Sequence, residues 1–250
     1  MHKFHSEVLR MGTPSFSLVH CTARLTPGKP FYWADTMAAW GERCDNSVRV
    51  EYVLCVDAEQ TMGLDVAPEH YKHQLIGEMV WGKWQTVMNT GRRCAVDAWN
   101  TAAASSTGEI IITVADDYFP PEHWDTALDN CIMEISACRT EFVLDVDNQD
   151  NSYPLLPFTF ISRAYYNRLG YLFWPEYYGI GADCDFTEVA RRDKVVIDAR
   201  HLKFEHRHWG RGLREMDEVD RHQQSAEAEE AHHRVLARRR AEGFPPLKKP

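Results

Sequence analysis

Short apolar runs recur in the first half of the chain and are separated by longer segments. FSLVH (residues 16–20), VEYVLCV (50–56) and IIITV (110–114) are almost uninterrupted apolar stretches of strand length. Such runs are typical of strands that are buried on both faces. We therefore predict three buried strands, and each of them is followed within a few residues by polar side chains.

The segments after these strands have helical character. Residues 30–44 repeat large apolar side chains at helical spacing, and residues 94–108 are rich in alanine, with Gly108 placed to end the helix. Residues 120–136 open with two prolines, which suit a first helical turn. Three alternations of strand and helix predict an α/β fold with a mostly parallel, helix-covered sheet.

The second half of the chain has a less regular pattern. Residues 141–146 predict a strand, residues 157–173 a strand and a short helix, and residues 195–209 a late strand. Residues 218–243 predict a charged terminal helix, whose acidic start and basic end suit the helix dipole. A solvated helix is the favoured interpretation of this segment, and a role in dimerisation or in docking the acceptor is the alternative.

Polar residues follow all three strands of the first half, in HCTAR (20–24), at Asp57 and in ADDY (115–118). Ligands of parallel sheets bind beyond the carboxyl ends of the strands. Two adjacent carboxylates such as Asp116 and Asp117 repel each other unless a cation lies between them, so the pair suits a metal–diphosphate. A turn aspartate ahead of Pro120 is an equally good interpretation of the pair on its own.

Composition narrows the class of protein. The net charge of −9 lowers the expectation of a nucleic-acid partner, although it does not exclude one. Seven cysteines without a C-x-x-C pair favour a reducing compartment. The N-terminus lacks a signal-peptide pattern, and no apolar run is long enough to span a bilayer. These features predict a soluble protein of the cytoplasm.

Several segments together resemble the family 2 glycosyltransferases of the GT-A fold. They are SLVHCTAR, VLCVDAEQ, the long block from Asn89 to Asp125, FTFISRAYYNRLGYL and YYGIGADCDFTEVARR. The resemblance implies a GT-A domain over residues 1–215, with a nucleotide-sugar half at about 15–118 and an acceptor and metal half at about 119–215. Residues 216–250 would form a C-terminal charged helix and tail.

The resemblance also implies which residues bind the donor. Thr22 and Arg24 would cradle the nucleotide, and Asp57 would contact the base. Arg93, Asp97 and Asn100 would flank the nucleotide. Asp116 would support the ribose or the metal. Arg207, Arg211 or Arg214 could bind a phosphate through the guanidinium fork.

The metal and the base are implied in the same way. Asp117 matches the metal-binding aspartate, for Mn²⁺ or Mg²⁺, and either His206 or His208 would complete the metal shell, with His206 preferred. Both histidines would lie on one face of a strand. Asp183, in YYGIGADCDF, matches the catalytic base, and Asp185 is the alternative. A two-histidine zinc site is a rival interpretation without an evident third ligand.

The implied reaction is a metal-dependent, inverting transfer from a nucleotide-diphosphate sugar, with a UDP-sugar favoured, to an acceptor hydroxyl. The acceptor would be a glycan or a modified base of phage DNA. A nucleotidyltransferase on a related fold is one alternative, but its glycine- and basic-rich loop is not evident after the first strand. A non-catalytic protein that binds a nucleotide or a glycan is the other.

Overall fold

A computed structural model describes residues 15–25, 32–57, 80–136, 138–149 and 154–247. The predicted polar residues 58–60, the start of the first predicted helix at 30–31 and the last three residues of the tail lie outside this part. The strands are β1 Phe16–Cys21, β2 Val50–Asp57, β3 Lys83–Asn89, β4 Ile110–Val114, β5 Tyr118–Phe119, β6 Val143–Asp147, β7 Phe160–Ser162, β8 Val196–Lys203 and β9 Glu205–His206. The α-helices are α1 Trp33–Glu42, α2 Ala95–Ser105, α3 Trp124–Ser136, α4 Arg163–Leu169, α5 Ala182–Arg192, α6 Glu218–Gln223 and α7 Ala226–Ala241.

Seven strands form the main sheet, in the order β3-β2-β1-β4-β7-β6-β8. β1 pairs in parallel with β2 and β4, and β2 pairs in parallel with β3. β7 runs antiparallel to both of its neighbours, and β6 and β8 pair in parallel. The predicted α/β class with a mostly parallel sheet is confirmed. β3 was not predicted, because this edge strand is only partly buried and carries no continuous apolar run.

Helices cover both faces of the sheet. Successive side chains of a strand point to opposite faces, and in β1 Leu18 and Val19 accordingly belong to different hydrophobic clusters. Leu18 packs in the cluster that contains the tryptophans of α1 and α3, Trp33, Trp40 and Trp124. Val19 packs in the cluster that contains residues of α2, α5 and α7. The three layers hold the carboxyl ends of β1, β2 and β4 at one edge.

Gly108 has a different role from the predicted one. Helix α2 ends at Ser105, and the backbone N–H of Ser106 donates to the carbonyl of Ala103. Gly108 lies against β1, where its N–H donates to the hydroxyl of Ser17 at 2.7 Å. A Cβ at this position would lie 2.5 Å from the same hydroxyl oxygen. The glycine is therefore needed for a close approach to β1 and not for ending the helix.

The charged C-terminal segment forms two helices instead of the single predicted one. Ser225 starts α7 as its N-cap, with a side chain that accepts from the N–H of Ala228, and such a cap favours a new helix start. The apolar side chains of α7, among them Val235 and Leu236, are buried in the same cluster as α2 and α5. The helix is therefore packed against the sheet layer through its apolar side, and its charged residues other than Arg239 are exposed. None of the helices in the described ranges has the length and apolar character that crossing a membrane requires.

Candidate functional site

A cavity of about 590 Å³ opens at the carboxyl ends of β1, β2 and β4. The parallel arrangement brings together residues that are up to two hundred positions apart in sequence, as expected for this edge of an α/β sheet. The predicted site residues that line the cavity are Thr22, Arg24, Asp57, Arg93, Asp116, Asp117, Asp183, His206, His208 and Arg214. Of the three arginines predicted as phosphate ligands, Arg207 and Arg211 do not line it. Asp97, Asn100 and Asp185 are not among the lining residues.

Asp116 is buried, and residues at the end of β1 contact both of its carboxylate oxygens. His20 lies 2.9 Å from Oδ1, while Thr22 and Arg24 donate to Oδ2 at 3.0 and 3.1 Å. His20 also contacts the hydroxyl of Tyr52 at 2.6 Å through its other nitrogen. This network ties the end of β4 to the end of β1. His20 was missed in the sequence because a histidine inside an apolar run resembles an ordinary core residue.

Asp117 faces the cavity beside two basic side chains. Arg214 donates to its Oδ2 at 3.0 Å, and Nε2 of His206 lies 3.6 Å from the same oxygen. Burial alone would raise the pKa of Asp117, but His206 and Arg214 outweigh it and lower the pKa to about 2. The carboxylate is therefore ionised at neutral pH, which is the form that ligates a cation.

The short β5–β9 ladder brings His206 to this aspartate. Tyr118 and His206 are paired residues of the ladder, and the N–H of Arg207 donates to the Asp117 carbonyl at 2.9 Å. β9 contains only two residues, so His208 is not on the strand, and the predicted alternation of the two histidines along one strand is wrong. His208 instead caps a short 3₁₀ turn, accepting from the Gly210 N–H at 3.2 Å.

The residues around Asp117 fit a divalent cation only in part. Within the described ranges, no group of three or more His, Cys, Asp or Glu side chains is arranged to hold a metal. Mg²⁺ and similar ions are commonly bound by one or two protein ligands together with substrate phosphates. The ionised carboxylate of Asp117 and the imidazole of His206, 3.6 Å apart, provide such an incomplete set.

Asp57 and Arg93 lie at another part of the cavity wall. Asp57 accepts from the side-chain amide of Asn89 at 2.8 Å, and Nε of Arg93 lies 3.6 Å from its other oxygen. Asn89 is the last residue of β3 and also contacts the loop at Gly91 and Arg92. One carboxylate oxygen of Asp57 is thus fixed by Asn89, whose role was missed together with its strand.

Asp97 and Asn100 hold loops in place and do not reach the cavity. Asp97 accepts from the backbone N–H of Arg92 at 2.8 Å and from its guanidinium at 2.6 Å. Asn100 donates to the Phe173 carbonyl at 2.7 Å and accepts from the N–H groups of Leu172 and Phe173. The structure therefore does not bring these two residues to the place predicted for the nucleotide, because neighbouring backbone groups already engage their side chains.

Asp183 and Asp185 have opposite surroundings, although both lie in the first turn of α5. Gly181 starts the helix in the left-handed region (φ 83°), and Asp183 lines the cavity. Burial raises the pKa of Asp183. Asp185 is fully buried and accepts from Arg239 of α7 at 2.9 Å. The structure thus separates the two candidates, since only Asp183 is available to a molecule in the cavity.

A charged cluster from the C-terminal region, which was not predicted as a group, closes one side of the cavity. Asp220 accepts from Arg24 at 3.0 Å and from Arg214 at 2.8 Å. Asp217 accepts from Nε of Arg24 at 2.7 Å. Asp217 and Asp220 form a capping box at the start of α6. That spacing could have predicted the helix start, but it carries no information about the arginine partners.

No protein-family model and no curated protein matches the chain. Solved structures do match. Mannosyltransferase PcManGT from Pyrobaculum calidifontis, in complex with GDP-Man and Mn²⁺, superimposes with a TM-score of 0.55 at 16% identity, over 92% of this chain and 76% of that one. The fold is that of the GT-A glycosyltransferases.

TarS from S. aureus is similar to the same degree. Its residues 1–349, in complex with UDP-GlcNAc, superimpose with a TM-score of 0.54 at 14% identity, over 76% of this chain and 58% of that one. A longer TarS structure gives a TM-score of 0.56 at 13% identity, and this chain spans 43% of its length. The GT-A chain described here therefore corresponds to about half of TarS and to three quarters of the mannosyltransferase.

Proposed function

We propose that this protein is a metal-dependent, inverting glycosyltransferase that uses a nucleotide-diphosphate sugar. One observation carries the proposal. A single cavity of about 590 Å³ collects the aspartate at the end of β2, the Asp117–His206 pair and the Asp183 carboxylate. In solved structures of similar fold, GDP-Man with Mn²⁺ and UDP-GlcNAc are the bound molecules. The reaction needs a group that binds the nucleobase, a cation site that the donor diphosphate completes, and a proton acceptor. In this cavity Asp57, the Asp117–His206 pair and Asp183 would fill these three roles.

The nucleotide would bind on the wall formed by β1 and β2. The second oxygen of Asp57, which lies 3.6 Å from Nε of Arg93, can accept from a ring N–H of uracil or of guanine. Arg93 itself is largely exposed and available to the nucleotide. UDP-sugars are our first choice of donor, and GDP-sugars, whose guanine offers the same kind of ring N–H, are the second. Thr22 and Arg24 would lie beside the ribose and the diphosphate.

Asp117 and His206 would hold the divalent cation, Mn²⁺ or Mg²⁺. When bound, the ion would neutralise the charge that develops on the leaving diphosphate. His208 lies next to His206, with ring centroids 4.9 Å apart. Its Nδ1 accepts from Gly210, so we assign the ligand role to His206. Both oxygens of Asp116 already have partners at the end of β1, so its role would be to fix the ends of β1 and β4.

Asp183 would act as the general base. A carboxylate whose pKa is raised by burial is a stronger proton acceptor than an ordinary aspartate. It would remove the proton from the acceptor hydroxyl as that oxygen attacks the anomeric carbon opposite the leaving diphosphate. Attack from the opposite face inverts the configuration. The acceptor would be a glycan or a modified base of phage DNA.

The experiment is a donor panel. Purified protein with Mn²⁺ is incubated with UDP-, GDP-, dTDP- and CMP-sugars, and released nucleotide is measured. We expect hydrolysis of one donor, lost on chelation and in Asp117→Ala, and retained in the control Asp198→Ala, which removes an exposed aspartate of β8. Release from none of the donors would contradict the proposal, and turnover of nucleoside triphosphates instead would favour a nucleotidyltransferase.

A further inference from the structure

We propose that Asp220 occupies, within the chain, the position of the donor diphosphate, and that Arg24 and Arg214 exchange this carboxylate for phosphate oxygens when the donor binds. The inference rests on the proposed function for the identity of the ligand. It assigns to residues 214–220 the role of an internal competitor, which occupies Arg24 and Arg214 in place of the donor diphosphate. Neither Asp217 nor Asp220 belongs to the residues predicted from the sequence.

The contacts form a chain of alternating negative and positive charges that runs from Asp116 to Asp117. Arg24 joins Asp116 to Asp220, at 3.1 and 3.0 Å. Arg214 joins Asp117 to the same Asp220, donating to Asp117 at 3.0 Å and to Oδ1 of Asp220 at 2.8 Å. A second nitrogen of Arg214 contacts the other oxygen of Asp220. One carboxylate therefore accepts from both guanidinium groups directly beside the candidate cation ligand.

All members of this chain of charges line the cavity. A guanidinium group binds phosphate oxygens with the same fork geometry with which it binds a carboxylate. A diphosphate brings at least two negative charges and several oxygens, so it can replace the interactions that Asp220 makes with both arginines. The partners of Arg24 and Arg214 would then change without leaving either cation unpaired in the buried site, which would be costly.

Charged contacts attach the segment that carries Asp220, and its apolar side chains lie outside the two hydrophobic clusters. None of the described side chains between residues 205 and 224 belongs to either hydrophobic cluster of the sheet. The segment follows Gly212, which is in the left-handed region (φ 69°), and α6 has only six residues. Since hydrogen bonds and ion pairs at Asp217 and Asp220 supply the main attachment, replacing those partners would release the segment from the cavity.

The test measures the binding of inorganic pyrophosphate to the full chain by titration calorimetry, first in EDTA and then with Mn²⁺. We expect Asp220→Asn to bind pyrophosphate about tenfold more tightly than the wild type, a typical size for coupling between two competing interactions. Asparagine keeps an oxygen for the Asp217 N–H contact of the capping box. Arg24→Gln and Arg214→Gln should weaken binding.

Two further variants keep the test decisive. Asp217→Asn retains a good N-cap residue and removes one carboxylate from Arg24, so it should tighten binding by a smaller factor. Asp198→Asn makes the same change of net charge at an exposed pair with Arg200 and should leave the affinity unchanged. Unaltered or weaker binding by Asp220→Asn, in folded protein judged by thermal unfolding, would overturn the inference. Equal tightening by Asp198→Asn would also overturn it.

The failure of the inference differs from the failure of the proposed function. Tighter pyrophosphate binding by Asp220→Asn without hydrolysis of any sugar nucleotide would support the internal competitor and contradict the glycosyltransferase. Donor hydrolysis by the wild type, with no change of pyrophosphate affinity in Asp220→Asn, would support the glycosyltransferase and contradict the internal competitor.

Discussion

Two aspartate–arginine pairs of this chain have nearly the same geometry but different surroundings. Asp185 and Arg239 are 2.9 Å apart, with side chains 1% and 0% exposed. Asp117 and Arg214 are 3.0 Å apart, with side chains 8% and 5% exposed. The first pair is enclosed by protein, whereas the second lies on a cavity wall. Distance and burial therefore do not distinguish a structural pair from a functional one, and the surrounding groups do.

All three guanidinium nitrogens of Arg239 donate to partners within the protein. Its charged carbon lies 3.6 Å from the ring centroid of Trp174, and its nitrogens also donate to the Tyr171 hydroxyl at 3.2 Å and the Pro245 carbonyl at 2.7 Å. This pair joins α7 to the first turn of α5, the turn that also carries Asp183. The C-terminal helix thus anchors the helical turn that carries the candidate base.

The largest expected effect is that of breaking the enclosed pair. Arg239→Met leaves the Asp185 carboxylate buried without its main partner, which typically costs about 3–5 kcal/mol. Urea unfolding followed by tryptophan fluorescence measures the loss. The control is Arg238→Met, which removes an exposed neighbour paired with Glu176 and should leave the midpoint unchanged. Equal losses in the two variants would show that the Asp185–Arg239 pair is not structural.

Asp183→Asn should abolish activity while it stabilises the fold. Loss of a general base typically lowers the rate by about a hundredfold or more. Because burial raises the pKa of Asp183, the native state binds its proton more tightly than the unfolded state. This residue's contribution to the free energy of unfolding therefore falls as pH rises from the unfolded pKa to the folded one. At pH 7 the neutral amide should raise the melting temperature.

Asp185→Asn is the matched variant for this prediction, two residues further along α5. It should lower the melting temperature, since Arg239 would lose its charged partner. A lower melting temperature for Asp183→Asn, or full activity in that variant, would contradict the assignment. In the wild type, kcat/KM should fall at low pH with an apparent pKa above that of an ordinary aspartate.

Gly181→Ala should be more damaging than other replacements of glycines with positive φ. The Cβ of the alanine would lie 1.6 Å from Nδ1 of His232 on α7. The backbone at φ 83° would also be strained. Gly170 has φ 78° with nothing within 4 Å of the added Cβ, so Gly170→Ala isolates the backbone strain of about 1–2 kcal/mol. Chemical unfolding of both variants measures the difference. Equal destabilisation would mean that His232 is easily displaced from α5.

The smallest expected effect separates two adjacent arginines. Arg93→Gln should raise the donor KM severalfold and leave the melting temperature unchanged, because Arg93 is exposed and faces the cavity. Arg92→Gln should lower the melting temperature, because Arg92 is bound to Asp97 and to the Tyr177 carbonyl at 2.9 Å. Initial rates and thermal unfolding measure both. The reversed result would assign Arg92 to the nucleotide.

The parts of the fold that the sequence predicts are those with a strong local pattern. β4 has the predicted bounds, and the prediction that Asp116 and Asp117 lie at a sheet edge is confirmed, because a continuous apolar run ends directly before them. β3 was missed, since an edge strand has no such run. The break between α6 and α7 depends on one N-cap serine in a segment whose composition is helical throughout.

The site divides in the same way. Local pattern and resemblance predicted that Asp57, Asp117, Asp183 and His206 belong to one site, and all four line the same cavity. Asp97 and Asn100, predicted for the same site, do not line the cavity. Nothing local in the sequence shows that Arg92 and the backbone near Phe173 engage these two side chains.

The sequence by itself determined where the buried strands end and which carboxylates follow them, because both are local properties. Only the tertiary structure decided which carboxylates remain available to a ligand. Asp183 and Asp185 share one helical turn, and the difference between them comes from Arg239, 54 positions away. Likewise Asp220 reaches Arg24 across 196 positions. Partners at such separations are set by the packing of whole elements, which no short stretch of sequence records.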